Sequence, residues 1–287
     1  MIYVHKVGVL NAEEGEALDI KAAWKAISPS MIRRTDRFIQ LSLLGAYQAV
    51  GQCPLSKDTA LYMASGQGNL AVFKRLRDQR YIKKQPPKPV DFINSLSNTS
   101  GFYVAQFLGI DGKNLNVSRL GLVAETTLLL AQNDLELGRE QEILVGGVDE
   151  LQEPATFTRR TLGLCDDRLL GEGSNWMLLS TEKEGALSTL NVIKQTMDVM
   201  GLTLFLKGIE GEYNITFGQR TPKGVIEEVM QSISKDIRLF EMSVGFYETV
   251  SLYFLNSFIQ KGEGKLIYIE MYHNRFRVIQ VDNLPEN

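Results

Sequence analysis

Apolar residues recur along this chain in two rhythms, broken by glycine and proline. Ile39, Leu43, Ala46 and Val50 fall at helical spacing, so residues 35–50 predict a helix with Asp36 as its cap. Short apolar runs predict strands over residues 1–10, 60–64 and 143–149. Residues 91–109 predict a second helix, and residues 122–138 a buried apolar one closed by Gly138. Between them, residues 115–119 read as a strand. A turn-rich span, 153–173, precedes a strand at 175–179. Further on, residues 213–217 predict a strand and 222–235 a helix with Pro222 in its first turn. Residues 238–242 read as a strand and 247–260 as an apolar helix. Residues 265–272 and 275–281 form a hairpin around His273-Asn274. Strands alternating with helices indicate an α/β sheet covered by helices. No short-period repeat or low-complexity tract interrupts the pattern.

Composition narrows the picture without redirecting it. The 287 residues are 44% apolar and 23% charged, which suits a globular chain with a large core. A formal net charge of −3 argues against general nucleic-acid binding. No apolar run reaches the length of a membrane span, and the N-terminus lacks the pattern of a secretion signal, so a cytoplasmic protein is expected. Two cysteines, Cys53 and Cys165, make no disulfide framework and read as small buried residues. With only His5 and His273 beside them, no zinc site is expected. One segment departs from the average. Lys74, Arg75, Arg77, Arg80, Lys83, Lys84 and Lys88 face the single acid Asp78 before an extended Gln85-Pro86-Pro87-Lys88-Pro89 connection. It reads as a solvated face or as a dock for an acidic partner.

The chemistry turns on one position. Asn116-Val117-Ser118-Arg119-Leu120-Gly121 leads from a strand into the buried helix. That device presents a residue at a helix N-terminus, where free N–H groups and the dipole lower a thiol's pKa. Gly121 has no side chain and forms no acyl-enzyme. Ser118 is an alternative nucleophile without an identifiable base. The Ser65-Gly66-Gln67-Gly68 and Gly171-Glu172-Gly173 runs lack dinucleotide or P-loop spacing and read as backbone turns.

The order of landmarks resembles the β-ketoacyl synthases of the thiolase superfamily over nearly the whole chain. Arg33-Arg34-Thr35-Asp36-Arg37-Phe38 is similar to the start of the family's first core helix, and Ser65-Gly66-Gln67-Gly68 to its glycine turn. Residues 98–112 are similar to the helix and loop before the nucleophile strand. Val145-Gly146-Gly147-Val148-Asp149 and Gly171-Glu172-Gly173-Ser174 are similar to two signature motifs. The resemblance implies a thiolase-like layered αβαβα fold from two related halves, 1–180 and a truncated 181–287, forming one continuous unit. It places Gly121 at the catalytic cysteine. In Phe217-Gly218-Gln219-Arg220-Thr221-Pro222 it places Phe217 at the first catalytic histidine. Phe246, after Gly245, stands at the second, and Glu241 at a lysine. Phenyl rings carry no polar N–H donor, although Phe217 and Phe246 also read as ordinary core residues. His5 and His273 lie elsewhere in sequence and read as structural.

The expectation is a non-catalytic subunit of chain length factor type, without cofactor or metal, as in type II polyketide or aryl polyene pathways. The resemblance implies an active ketosynthase partner, joined along Leu115, Val117 and Arg119. Thr99, Phe102 and Tyr103 would help wall the acyl tunnel. Lys74, Arg75, Arg77, Arg80, Lys83 and Lys84 would dock an acyl carrier protein. The other readings are a divergent thiolase-fold acyltransferase with a non-standard nucleophile and a homodimeric ligand-binding or regulatory protein.

Overall fold

Two five-stranded arrays of the same order and polarity meet edge to edge in the computed structural model, which describes residues 1–16, 18–28, 34–233 and 237–285. The first array runs β4 (Asn114–Ser118), β3 (Ala60–Ser65), β5 (Glu142–Asp149), β6 (Gly171–Ser180) and β1 (Ile2–Gly8). Its first three strands are parallel, and β6 and β1 pair antiparallel. The second runs β9 (Ile237–Leu239), β8 (Tyr213–Phe217), β10 (Lys265–Tyr272), β11 (Arg275–Asn283) and β7 (Ser188–Val192). Again three strands are parallel and two antiparallel. Antiparallel pairing of β1 with β7 joins the arrays, and β2 (Asn11–Glu13) adds to β6.

Helices fill three layers around these arrays. Sandwiched in the centre lie α6 (Val123–Glu136) and α10 (Val250–Gln260). Leu128, Leu135, Leu255 and Phe258 join one core with Tyr62 and Val145 of the first array and Tyr268 and Val281 of the second. Outside the first array, α1 (Ile20–Ile27), α2 (Arg37–Val50) and α5 (Thr99–Leu108) close a second core around Trp24, Leu41 and Trp176. On the far side, α8 (Val199–Lys207) and α9 (Lys223–Ser232) cover Ile215 and Ile269. Each fully buried Leu or Ile contributes roughly 1.5–3 kcal/mol. The layered α/β expectation is met.

Local signals explain where the elements start. Asp36 caps α2, its carboxylate accepting from Ile39 N–H at 3.1 Å. Both hairpin residues, His273 and Asn274, adopt positive φ, as a two-residue turn between twisted strands requires.

Several expectations need correction. The 91–109 helix is two: α4 (Pro89–Asn94) and α5, separated where Ser95 and Thr99 hydroxyls take the Phe92 and Ile93 carbonyls. The basic segment is helical, with α3 (Leu70–Arg77) running into a single π turn (Asp78–Ile82). Within the turn-rich span lies α7 (Ala155–Leu162), which starts after Pro154. Gly171, Glu172 and Gly173 are strand, not turn: all three pair with β2, Gly173 also pairs with Asp149 of β5, and glycine at 173 leaves room for the Tyr247 ring. The 238–242 strand shortens to β9, after which Phe240 N–H still donates to Ile215 and the chain bends away. Sequence reasoning missed α1. Cys53 and Cys165 are exposed in loops rather than buried. Arg33 and Lys235 lie outside the described residues.

Candidate functional site

Glycine at position 121 is dictated by what presses against it. Its φ is +63°, and Leu122 follows at +53°, so two successive left-handed residues make the turn into α6. A Cβ built on Gly121 would lie 2.2 Å from Cδ2 of Tyr272, at the end of β10. The ring of exposed His273 meets that of Tyr272 edge-on, with centroids 4.1 Å apart and planes at 63°. So the structure brings one histidine next to the residue that covers Gly121, contrary to its separation in sequence. The other, His5, shares a 2.8 Å hydrogen bond with Ser180.

A carboxylate occupies the mouth of α6. Gly121 N–H donates to Glu248 Oε2 at 2.7 Å, and Glu248 Oε1 pairs with Arg220. Both are largely buried, and the stem of Glu248 fills the space a side chain on Gly66 would need. Arg220 in turn lies over two rings, 4.9 Å from the centroid of Phe246 and 5.8 Å from that of Tyr272. Thus Gly121, Glu248, Arg220, Phe246 and Tyr272 form one packed unit drawn from four segments. An anion at a helix N-terminus is favourable, and here it is a fixed side chain.

Asp149 ties this unit to the sheet. Its Oδ1 accepts from Ser65 Oγ at 3.0 Å and Gly66 N–H at 2.8 Å, and its Oδ2 accepts from Thr249 N–H at 2.9 Å. Burial pushes the Asp149 carboxyl up to about 6, and the Glu248 charge adds to the effect. Behind it, burial also raises Glu125 of α6 and Glu270 of β10, which repel one another's ionised forms. Glu270 accepts from Tyr268 Oη and Met271 N–H. The interior is thus rich in carboxyls whose pKa burial raises, a signal that scattered single glutamates do not carry in sequence.

Phe217 and Phe246 fall in different apolar clusters. Phe246 packs with Leu162 and Leu170. Phe217 packs in the outer core and lines an open cavity of about 690 Å³ with Phe240, Met242 and Phe254. Glu241 is exposed on the same cavity, and Gln219 and Thr221 each leave a buried oxygen there without a partner.

The remaining predicted residues divide between an edge and a basic face. Leu115 and Val117 are half-buried on β4, while Ser118 and Arg119 are exposed; among the described residues β4 pairs only with β3, and its other side is open. Thr99 is buried and Tyr103 half-buried, but Phe102 is 58% exposed. On the basic face, Lys74 donates to the Glu153 carbonyl, Arg75 pairs with Asp91, and Arg77 with Asp78. Arg80, Lys83 and Lys84 are exposed without an ion pair among the described residues. Among those residues no cluster of His, Cys, Asp or Glu fits a metal ion.

No protein-family model matches the sequence, and a search of curated proteins finds no match. Solved structures do match. The chain is similar to the ishigamide ketosynthase/chain length factor, with 13% identity, 99% of each chain covered and a TM-score of 0.77. It is similar to a type II polyketide ketosynthase bound to the hexaketide, in complex with its acyl-carrier protein (12% identity, 99% of each chain, TM-score 0.72). It also matches a ketosynthase in complex with its chain length factor from Xenorhabdus doucetiae (14% identity, 96% of this chain, 98% of that chain, TM-score 0.57). The chain therefore has the thiolase-like fold of the ketosynthases.

Proposed function

We propose that this chain is a non-catalytic ketosynthase-like subunit of chain length factor type. It pairs with an active β-ketoacyl-acyl carrier protein synthase and helps shape the acyl or polyene tunnel in type II polyketide or aryl polyene synthesis. The packing of Tyr272 on Gly121 carries this reading: the position that the resemblance gives to the nucleophile has neither a side chain nor room for one. The Glu248–Arg220 pair supports it by filling the mouth of α6 with charge already neutralised. Donors for an enolate oxygen are absent from the phenyl rings of Phe217 and Phe246.

The pairing surface in this reading is the open edge of β4 with α4 and α5. An unpaired edge strand invites strand addition, and an exposed apolar patch invites cover. Phe92, Ile93, Leu96 and Phe102 are all exposed there. Thr99 and Tyr103 would then sit behind the seam, with Leu115, Val117 and Arg119 along it. Arg80, Lys83 and Lys84 would steer an acidic acyl carrier protein toward the pair. Two exposed, unpaired cysteines fit the reducing cytoplasm. Co-expression with a ketosynthase encoded nearby is expected to give a stable heterodimer by size-exclusion chromatography with light scattering. Mass spectrometry after incubation with acyl carrier thioester is expected to find acyl groups on the partner only. Covalent loading of this chain would overturn the proposal.

A further inference from the structure

A second cavity, of about 490 Å³, opens beside the start of α2 and shares no residue with the Gly121 unit. Its walls carry Glu13 at the end of β2, Glu16 from the loop that follows, Glu150 and Glu153 from the segment after β5, and Glu172 of β6. Among the described residues only Arg37 and Lys74 oppose these five carboxylates in the lining. Arg37 is spent on Glu172, and Lys74 points to the Glu153 carbonyl and the Phe157 ring. Two buried atoms in the wall make no close hydrogen bond, although the Gln152 amide lies near enough to Glu150 to act on its carboxyl. Glu150 is 8% exposed with Oε2 unpaired, and Gln152 is 3% exposed with Nε2 unpaired. Buried polar atoms left unmatched are costly and point to something that would match them.

We infer that this cavity binds a linear aliphatic di- or polyammonium compound, one ammonium held by Glu150 at the floor and another by Glu13 and Glu16 at the rim. A metal ion does not suit the walls, because no three ligating groups among the described residues stand close enough to coordinate one. An ammonium carries three donors on a compact charge, and an amide turned about its last bond offers Gln152's oxygen as a second acceptor. Length matters because the carboxylates that line the cavity come from separate segments. Empty, Glu150 is pushed up to about 7, first by burial and then by the charges of Asp36 and Glu172, with Arg37 and the Gln152 amide opposing. A bound ammonium reverses that balance, so binding near neutrality displaces a proton from Glu150.

Isothermal titration calorimetry of the full chain with putrescine and spermidine, at low salt and pH 7 in two buffers of different ionisation enthalpy, tests this. Saturable binding is expected, with a heat that depends on the buffer. Glu150→Gln is expected to weaken binding by about tenfold or more and to remove the buffer dependence. Should that variant fail to fold, the rim double variant Glu13→Gln/Glu16→Gln carries the test, with a severalfold loss of spermidine affinity expected. No saturable binding at millimolar diamine would overturn the inference. So would unchanged affinity in the folded variants, or equal binding of Mg²⁺ at equal charge.

Discussion

At position 121 the backbone and a neighbouring ring exclude a side chain independently. Left-handed φ costs an ordinary residue about 1–2 kcal/mol, and the Tyr272 ring occupies the Cβ position as well. Gly121→Cys is therefore expected to lower the denaturation midpoint, and adding Tyr272→Ala should recover only the steric part. Neither variant should condense carrier-bound malonyl and acyl thioesters, since Phe217 and Phe246 provide no donors. Condensation by the single variant would show that these positions are misassigned. The Arg220–Glu248 pair behaves differently. Glu248→Ala leaves a guanidinium buried without its counter-charge and a Gly121 N–H without its acceptor, at a cost of about 3–5 kcal/mol. Replacing both partners by methionine should cost much less, because no uncompensated charge remains. A double-mutant cycle by urea denaturation separates the two outcomes.

Among the elements, β4 and the helices packed on it form the surface with most at stake. Phe102 lies 58% exposed on α5, where its ring touches only Tyr103 among the aromatic side chains described. Phe102→Asp is expected to leave the midpoint of the isolated chain within about 0.5 kcal/mol of the original, as surface changes do. It should reduce capture of the proposed ketosynthase partner at least about tenfold in a pull-down titration, because a carboxylate would be buried unpaired. Element by element, legibility follows the range of the contacts that decide each case. Capping of α2 by Asp36 and the His273-Asn274 turn are settled within a few residues and could be read directly. Strand character at Gly171 and Gly173 depends on pairing with the distant β2, and their being glycine on the close approach of Gly245 and Tyr247, more than seventy residues away, so the run reads as a turn in sequence. The break between α4 and α5 comes from side-chain hydroxyls competing for helix carbonyls, which periodicity does not register. The site shows the same divide. Gly121 stood out by its local frame, whereas Tyr272, Glu248 and Arg220 are joined to it only by the fold.

Across the whole molecule, buried acids set how stability responds to pH. Glu150 rises from 4.5 to about 7 and Asp149 from 3.8 to about 6, and burial raises Glu125 and Glu270 in the same direction. A carboxyl whose folded value lies above its unfolded one favours folding while it stays protonated. Its contribution is complete below the unfolded value and is lost as pH climbs through the folded value. At about 1.4 kcal/mol per pH unit, Glu150 alone accounts for about 3 kcal/mol. Asp91 and Asp134 are lowered by their hydrogen bonds and basic partners and act oppositely, losing their contribution as pH falls toward their folded values. The urea midpoint is therefore expected to decline between pH 5 and about pH 8, and Glu150→Gln should flatten the upper part of that decline. A midpoint that rises steadily across this range would mean that these carboxyls are ionised in the folded chain.

The clasp of Tyr272, Glu248 and Arg220 around Gly121 also bears on how such a protein can change over time. Installing a thiol first collides with an aromatic ring. Deleting the acid first strands its guanidinium. Introducing an imidazole at Phe246 first sets it against that same guanidinium. Each opening step towards chemistry lowers the stability of the fold before any later step can reward it, so the non-catalytic state proposed above would be held by a ratchet.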